Sequence, residues 1–185
     1  MTAHEKLGPE FSIVVAFDDI GEEPREFDLS AGDDERSGLA KRFGLVSIAS
    51  LEAKLVLVWL KPNNVLSVKG RFSGQVTQSC VVTLDPVAAD VGDKIDVVFA
   101  RDVAESADLV DPNDAEPLDG EMIDIGELVA EELSLSLDPY PRRHDVDPAA
   151  IDLGPGARLM TEEVAEKSVE KNNPFDVLAG LKPKL

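Results

Sequence analysis

Few residues in this chain have the types and spacing that chemistry requires. Cys80 is the one cysteine, and His4 and His144 are the two histidines. A single thiol forms neither an intrachain disulfide nor a zinc site of two or more thiolates. Cys80 shares the even-numbered, apolar side of an alternating segment with Val76, Val82 and Leu84. A reactive thiol needs exposure and positive neighbours, so this placement predicts a buried core thiol. His144 lies between Arg143 and Asp145. A His–Asp pair can serve as a general base, but no nucleophile is spaced to use it, and the neighbours read as a loop. His4 falls in a frayed terminus. Glu127, Glu131 and Glu132 offer carboxylates for a metal. A helix-bundle site would also need His at fixed helical spacing, and none occurs. There is no phosphate-cradling glycine loop, no Gly-x-Ser-x-Gly elbow and no His-Glu-x-x-His. The expectation is a chain that is not an enzyme, with no catalytic residue, no metal site and no cofactor.

Binding chemistry is better represented. Lys69 and Arg71 stand on one polar strand face, and Lys54 joins them if the two long strands pair. These three are the candidates to face RNA phosphates, although no aromatic residues are interleaved for base stacking. The competing reading is ordinary solvated strand charge. The opposite chemistry is far more abundant. Between Asp102 and Leu137 the chain has twelve Asp and Glu residues and no Lys or Arg. The whole chain has 18 Lys plus Arg against 37 Asp plus Glu, a formal charge of −19. Such a surface repels phosphate backbones and draws in basic protein segments; plain solubility is the alternative use of the charge. Within the acidic stretch, Glu131 and Glu132 are the candidate partner-binding acids. A third candidate surface is the tail, where Phe175, Leu178 and Leu181 fall on one helical face beyond a polar linker. Such a face either docks on its own domain or serves a partner.

The elements that would position these groups follow from periodicity. Phe11, Ile13, Val15 and Phe17 alternate as a strand, and Arg25 to Ala31 forms a second. Asp33 to Phe43 reads as a helix, acidic at its start, basic in its last turn and stopped by Gly44. Leu51, Ala53, Leu55, Leu57 and Trp59 share the buried face of one long strand. The next alternation runs from Leu66 to Leu84, roughly 60 Å if straight. That is too long for this domain and predicts a bend at Gly70 or Gly74. Val87–Val91 and Ile95–Phe99 read as strands about a turn at Gly92-Asp93, and Asp102–Gly120 as an exposed acidic loop. Asp124 caps a helix to Leu137, with Glu127 as its capping-box partner. Ile125, Leu128, Val129 and Leu133 form its apolar stripe, and Pro139 and Pro141 stop it.

The expected fold is therefore α+β: a bent antiparallel sheet or partly open barrel of about six strands, with one packed amphipathic helix and a short C-terminal helix. The expected domains are a core over 9–141, a linker and weak helix over 142–171, and an apolar tail motif over 172–185. No apolar run approaches the roughly 20 residues of a membrane helix, and Met1–Glu10 lacks the apolar core of a signal peptide. The expected location is the cytoplasm, with no membrane partner.

Three segments in this order carry a resemblance: Val76-Thr-Gln-Ser-Cys80-Val-Val-Thr-Leu-Asp-Pro86, the Ile123–Leu137 helix with its proline end, and Asn173-Pro-Phe-Asp-Val-Leu-Ala-Gly-Leu-Lys182. Together they resemble the YceD-like family, the large ribosomal RNA subunit accumulation proteins. The resemblance implies a non-catalytic factor supporting large-subunit ribosomal RNA accumulation. With the charge, it makes a basic ribosomal or RNA-processing protein the expected partner, and direct contact with ribosomal RNA the alternative. Many relatives carry Cys-x-x-Cys in the first segment and another Cys after the prolines. Here the residues are Cys80-Val-Val-Thr83 and Arg142-Arg-His144-Asp145, so no role of those thiols carries over.

Overall fold

A computed structural model describes residues 9–60, 65–100, 115–117, 120–145 and 154. Met1–Pro141 and Arg142–Leu185 are separate compact units. The first is built on β3 (Ser47–Leu60) and β4 (Val65–Ser79), which pair antiparallel along most of their length. Their period-two pattern explains them. Leu51, Ala53, Leu55, Leu57 and Trp59 are all buried, as are Leu66, Val68, Phe72 and Val76 on the facing strand. β2 (Arg25–Ser30) pairs with the outer edge of β3. β5 (Pro86–Val91) and β6 (Lys94–Ala100) lie end to end along the other edge of β4. β7 (Ala115–Pro117) adds to β6 in parallel.

The fold is α+β as expected, with a mixed six-stranded sheet that is not closed into a barrel. Several details depart from the sequence reading. The chain does not reverse at Gly92-Asp93; it continues along the same edge of β4. The Phe72 N–H donates to the Asp93 carbonyl there, and a Cβ on Gly92 would lie 2.7 Å from the Phe72 carbonyl oxygen. The register shift expected in β4 falls in β3, between Ile48 and Ser50. Gly70 and Gly74 have a different use, which is close backbone approach. A Cβ on Gly70 would lie 2.1 Å from the Lys54 carbonyl oxygen. Ala115–Pro117, inside the segment read as an acidic loop, is a strand.

The long alternation also ends early. β4 stops at Ser79, and Cys80–Asp85 turns the chain so that Pro86 pairs back with Ser79. The Cys80 N–H donates to the Asp85 carbonyl and the Leu84 N–H to the Cys80 carbonyl. Cys80 is fully buried, but it opens a turn instead of lying on a strand, and Leu84 faces solvent.

At the N-terminus only β1 (Val14–Ala16) is a ladder strand, followed by a 3-10 turn over Phe17–Asp19. The expected alternation holds in burial: Phe11, Val15 and Phe17 are core residues. β1 pairs with β8 (Met122–Asp124), which runs directly into α2 (Ile125–Leu135). α1 (Asp33–Phe43) has the expected bounds, and Gly44 closes it in the left-handed conformation, φ 66°. Residues of α1 and α2 join the β3–β4 face and the N-terminal segment in one hydrophobic core.

Asp124 fastens these pieces together. Its Oδ1 accepts from the backbone N–H groups of Gly126 (3.0 Å) and Glu127 (3.1 Å), capping α2, and from Ile13 N–H (2.8 Å). Its Oδ2 accepts from Ser12 Oγ at 2.5 Å. Gly126 permits the approach: a Cβ there would lie 2.7 Å from the Phe11 carbonyl oxygen. Glu127 is not the capping-box partner expected. Its carboxylate takes the Arg42 guanidinium through two hydrogen bonds, 2.8 and 2.5 Å, tying the end of α1 to the start of α2. Asp124→Ala is therefore expected to destabilise the fold by about 2–3 kcal/mol, a lost cap plus unsatisfied partners. Asp124→Asn, which still offers an acceptor, is expected to lose less than half of that. Urea unfolding of both variants checks the difference.

Candidate functional site

The solvent face of the sheet brings the predicted cations together. Lys54 on β3 stands directly opposite Arg71 on β4, and Arg71 opposite Lys94 on β6. Lys69 lies in the adjacent row, opposite Val56 and Asp96. Lys94 was not among the residues predicted for this face, because it joins only once β6 is known to pair with β4.

The same rows bring carboxylates. Asp28 stands opposite Lys54 and bonds it at 2.9 Å, raising the lysine pKa through that hydrogen bond. Lys69 pairs with Asp96 at 3.1 Å. Glu26 and Glu52 occupy the neighbouring rows. Asp90, opposite Gln75, is a fifth acid on this face; four cations thus meet five carboxylates, so the face has no excess of positive charge and offers no aromatic platform. Exposed pairs of this kind add little stability; they match strand to strand and keep the β2 edge charged.

The other face of charge is one-sided. Glu131 is exposed and Glu132 half-buried on α2. Both carboxyls are raised above the usual range. For Glu131 the largest cause is partial burial, then the charges of Glu127 and Glu116, opposed by Arg42. For Glu132 it is partial burial, then Glu116, Asp93 and Glu131. The acids therefore come from α2, from β7 and from the Gly92-Asp93 link before β6. Glu116 and Asp93 were not singled out from the sequence, since nothing there shows that β7 and this link approach α2.

The remaining candidates divide simply. Arg143 pairs with Asp145 and holds its carboxyl below the usual range, which occupies the carboxylate that a His144 base would need. Phe175, Leu178 and Leu181, the weak helix expected within 142–171 and His4 lie outside the described residues. Among the described residues no three His, Cys, Asp or Glu side chains are grouped to hold a metal. No helix there is long and apolar enough to cross a membrane.

The geometry also explains the most distinctive sequence block. Ile123 and Ile125 are core, Asp124 fastens the N-terminal strand to α2, Gly126 admits the passing backbone, and Glu127 takes Arg42. Residues 68–182, more than half of the chain, match the family model of the large ribosomal RNA subunit accumulation protein YceD. The chain belongs to that family. The matched region contains that block, the Cys80 turn, Glu131 and Glu132, and Lys69 and Arg71 of the sheet face, but not Lys54. No curated protein and no solved structure matches the chain.

The raised carboxyls have a stability consequence. The folded chain holds the Glu131 and Glu132 protons more tightly than the unfolded chain does. Stability is therefore lost as pH rises from the ordinary carboxylate range through their raised values. The Glu131→Gln/Glu132→Gln double variant is expected to gain about 0.5 kcal/mol at neutral pH, on the scale of like-charge pairs one helical turn apart. It is expected to gain nothing near pH ~3, where both carboxyls are protonated in either state. Thermal melts across that pH range measure it.

Proposed function

We propose that this protein supports large-subunit ribosomal RNA accumulation as a non-catalytic factor. In this reading it holds a basic ribosomal or RNA-processing protein on the acidic surface around Glu131 and Glu132. Family membership supports the role in ribosomal RNA accumulation. The observation that carries the finer reading is the convergence on α2 of carboxylates from three segments, where Glu116 and Asp93 add to the partial burial that raises the Glu131 and Glu132 carboxyls. A fold gains nothing from this repulsion, whereas the arginines and lysines of a partner would relieve it. The work is expected in the cytoplasm, where ribosomes are assembled.

Direct RNA binding through Lys54, Lys69 and Arg71 is the weaker reading, because the carboxylates beside them cancel the field that phosphates would need.

The test offers the immobilised protein two probes at one salt concentration. One is the protein fraction stripped from purified large-subunit assembly particles, and the other is the RNA of the same particles. Basic proteins are expected to be retained and the RNA to flow through. Retention is expected to fall with salt, and to fall about tenfold for Glu131→Lys/Glu132→Lys, as for charge reversal at close pairs. RNA retained as tightly as protein would overturn the reading.

A further inference from the structure

Eight large apolar side chains stand exposed among the described residues, and four of them gather at the end of the domain where α2 finishes: Val81 (47%), Leu84 (77%), Leu135 (79%) and Tyr140 (69%). Two hydrogen bonds hold this corner together. The Val81 N–H donates to the Pro141 carbonyl and Gln78 Nε2 donates to the Asp138 carbonyl, both at 2.9 Å. The Cys80 turn and the segment after α2 therefore form one braced surface.

Leu84 is the unusual residue. Its φ of 64° is the one positive value at a non-glycine position among the described residues. The left-handed conformation is unfavourable for a leucine and easy for glycine. The turn's hydrogen bonds account for the backbone conformation, but among the described residues nothing covers the side chain, which is turned out to water. A large apolar group held out by a strained backbone points to a use outside the fold.

The surroundings indicate the partner's chemistry. Asp85 and Asp138 flank the corner in sequence, and Glu131 and Glu132 lie one turn back along α2; against these four acids stands Arg142, directly after Pro141. An apolar centre with an acidic rim fits an amphipathic segment carrying Lys and Arg. It does not fit a phosphate backbone, which the rim repels.

We propose that Val81, Leu84, Leu135 and Tyr140 form the apolar anchor for a basic, amphipathic segment of a partner protein. This rests on the reading that the partner is a basic protein, and it adds where its apolar side chains sit.

The full chain, immobilised as above, is challenged with the same assembly-particle proteins at the same salt concentration. Leu84→Gly and Tyr140→Ser are each expected to lower retention about tenfold. Leu84→Gly is expected to melt at the same temperature or a few degrees higher, since glycine relaxes the turn. That separates loss of binding from loss of fold, and Tyr140→Ser gives a second, independent reading. Three results overturn the anchor: both variants binding like the parent while the Glu131→Lys/Glu132→Lys variant does not, which leaves the basic-partner reading intact; self-association of the parent that either variant abolishes, which assigns the corner to a second copy; and particle RNA whose retention depends on Tyr140. A parent chain that retains no basic protein overturns both readings together.

Discussion

One carboxylate joins the parts of this domain that the main sheet does not. Asp124 caps α2 and reaches the backbone of Ile13 and the hydroxyl of Ser12, so the N-terminal segment and the helix start share one acceptor. The main sheet is held by its own ladders, but α2 and the β1–β8 pair cover the core only when they arrive together. Gly126 is required by the same junction, because the N-terminal backbone passes where a side chain would stand. Arg42 then draws in α1 through Glu127. The cost of desolvating these acids is offset by hydrogen bonds to backbone donors that would otherwise be orphaned at the helix start.

With those acids assigned to the fold, the remaining charge separates by location. The sheet face sets cations beside carboxylates with no positive excess left over, which suits a surface that stays in water and does not pair with another strand. The acids near Glu131 are not balanced in this way. The net charge of −19 is thus not spread evenly in its effect, and a sum over the sequence could not have separated a face of mixed charge from a repulsive one.

Much of the fold was legible because burial has a period. The alternation in 51–59 and 66–76 named the core residues of β3 and β4, and the stripe Ile125, Leu128, Val129 and Leu133 named those of α2. Three kinds of information were missing. Gly92-Asp93 has turn composition, yet whether a Gly-Asp pair reverses a strand or carries it on in register depends on the neighbour it lies against. Val76 to Leu84 keeps the alternating pattern through a turn, because Cys80 is buried for its own reason and Leu84 happens to keep the parity while pointing outward. Glu127 has capping-box spacing, but a guanidinium 85 residues away in sequence outcompetes the backbone N–H. In the candidate site, Glu131 and Glu132 were visible as acids off the stripe, whereas Glu116, Asp93 and Lys94 enter only through strand pairing.

Natural chains are locally consistent except where function asks otherwise. Most of this domain obeys: Asp124 caps α2, Gly44 closes α1, core positions are apolar, and among the described residues buried side-chain polar atoms have partners. Two places do not. The carboxylates around α2 repel one another, and Leu84 holds an apolar side chain in water from a backbone conformation that glycine would adopt more easily. Each would be relieved by a single substitution that leaves the core untouched. Both lie along the second half of α2 and the turn beside its end, and the proposed partner, basic in one place and apolar in the next, would relieve both. Two independent violations with one common remedy are better explained by a shared binding surface than by two unrelated accidents of the fold.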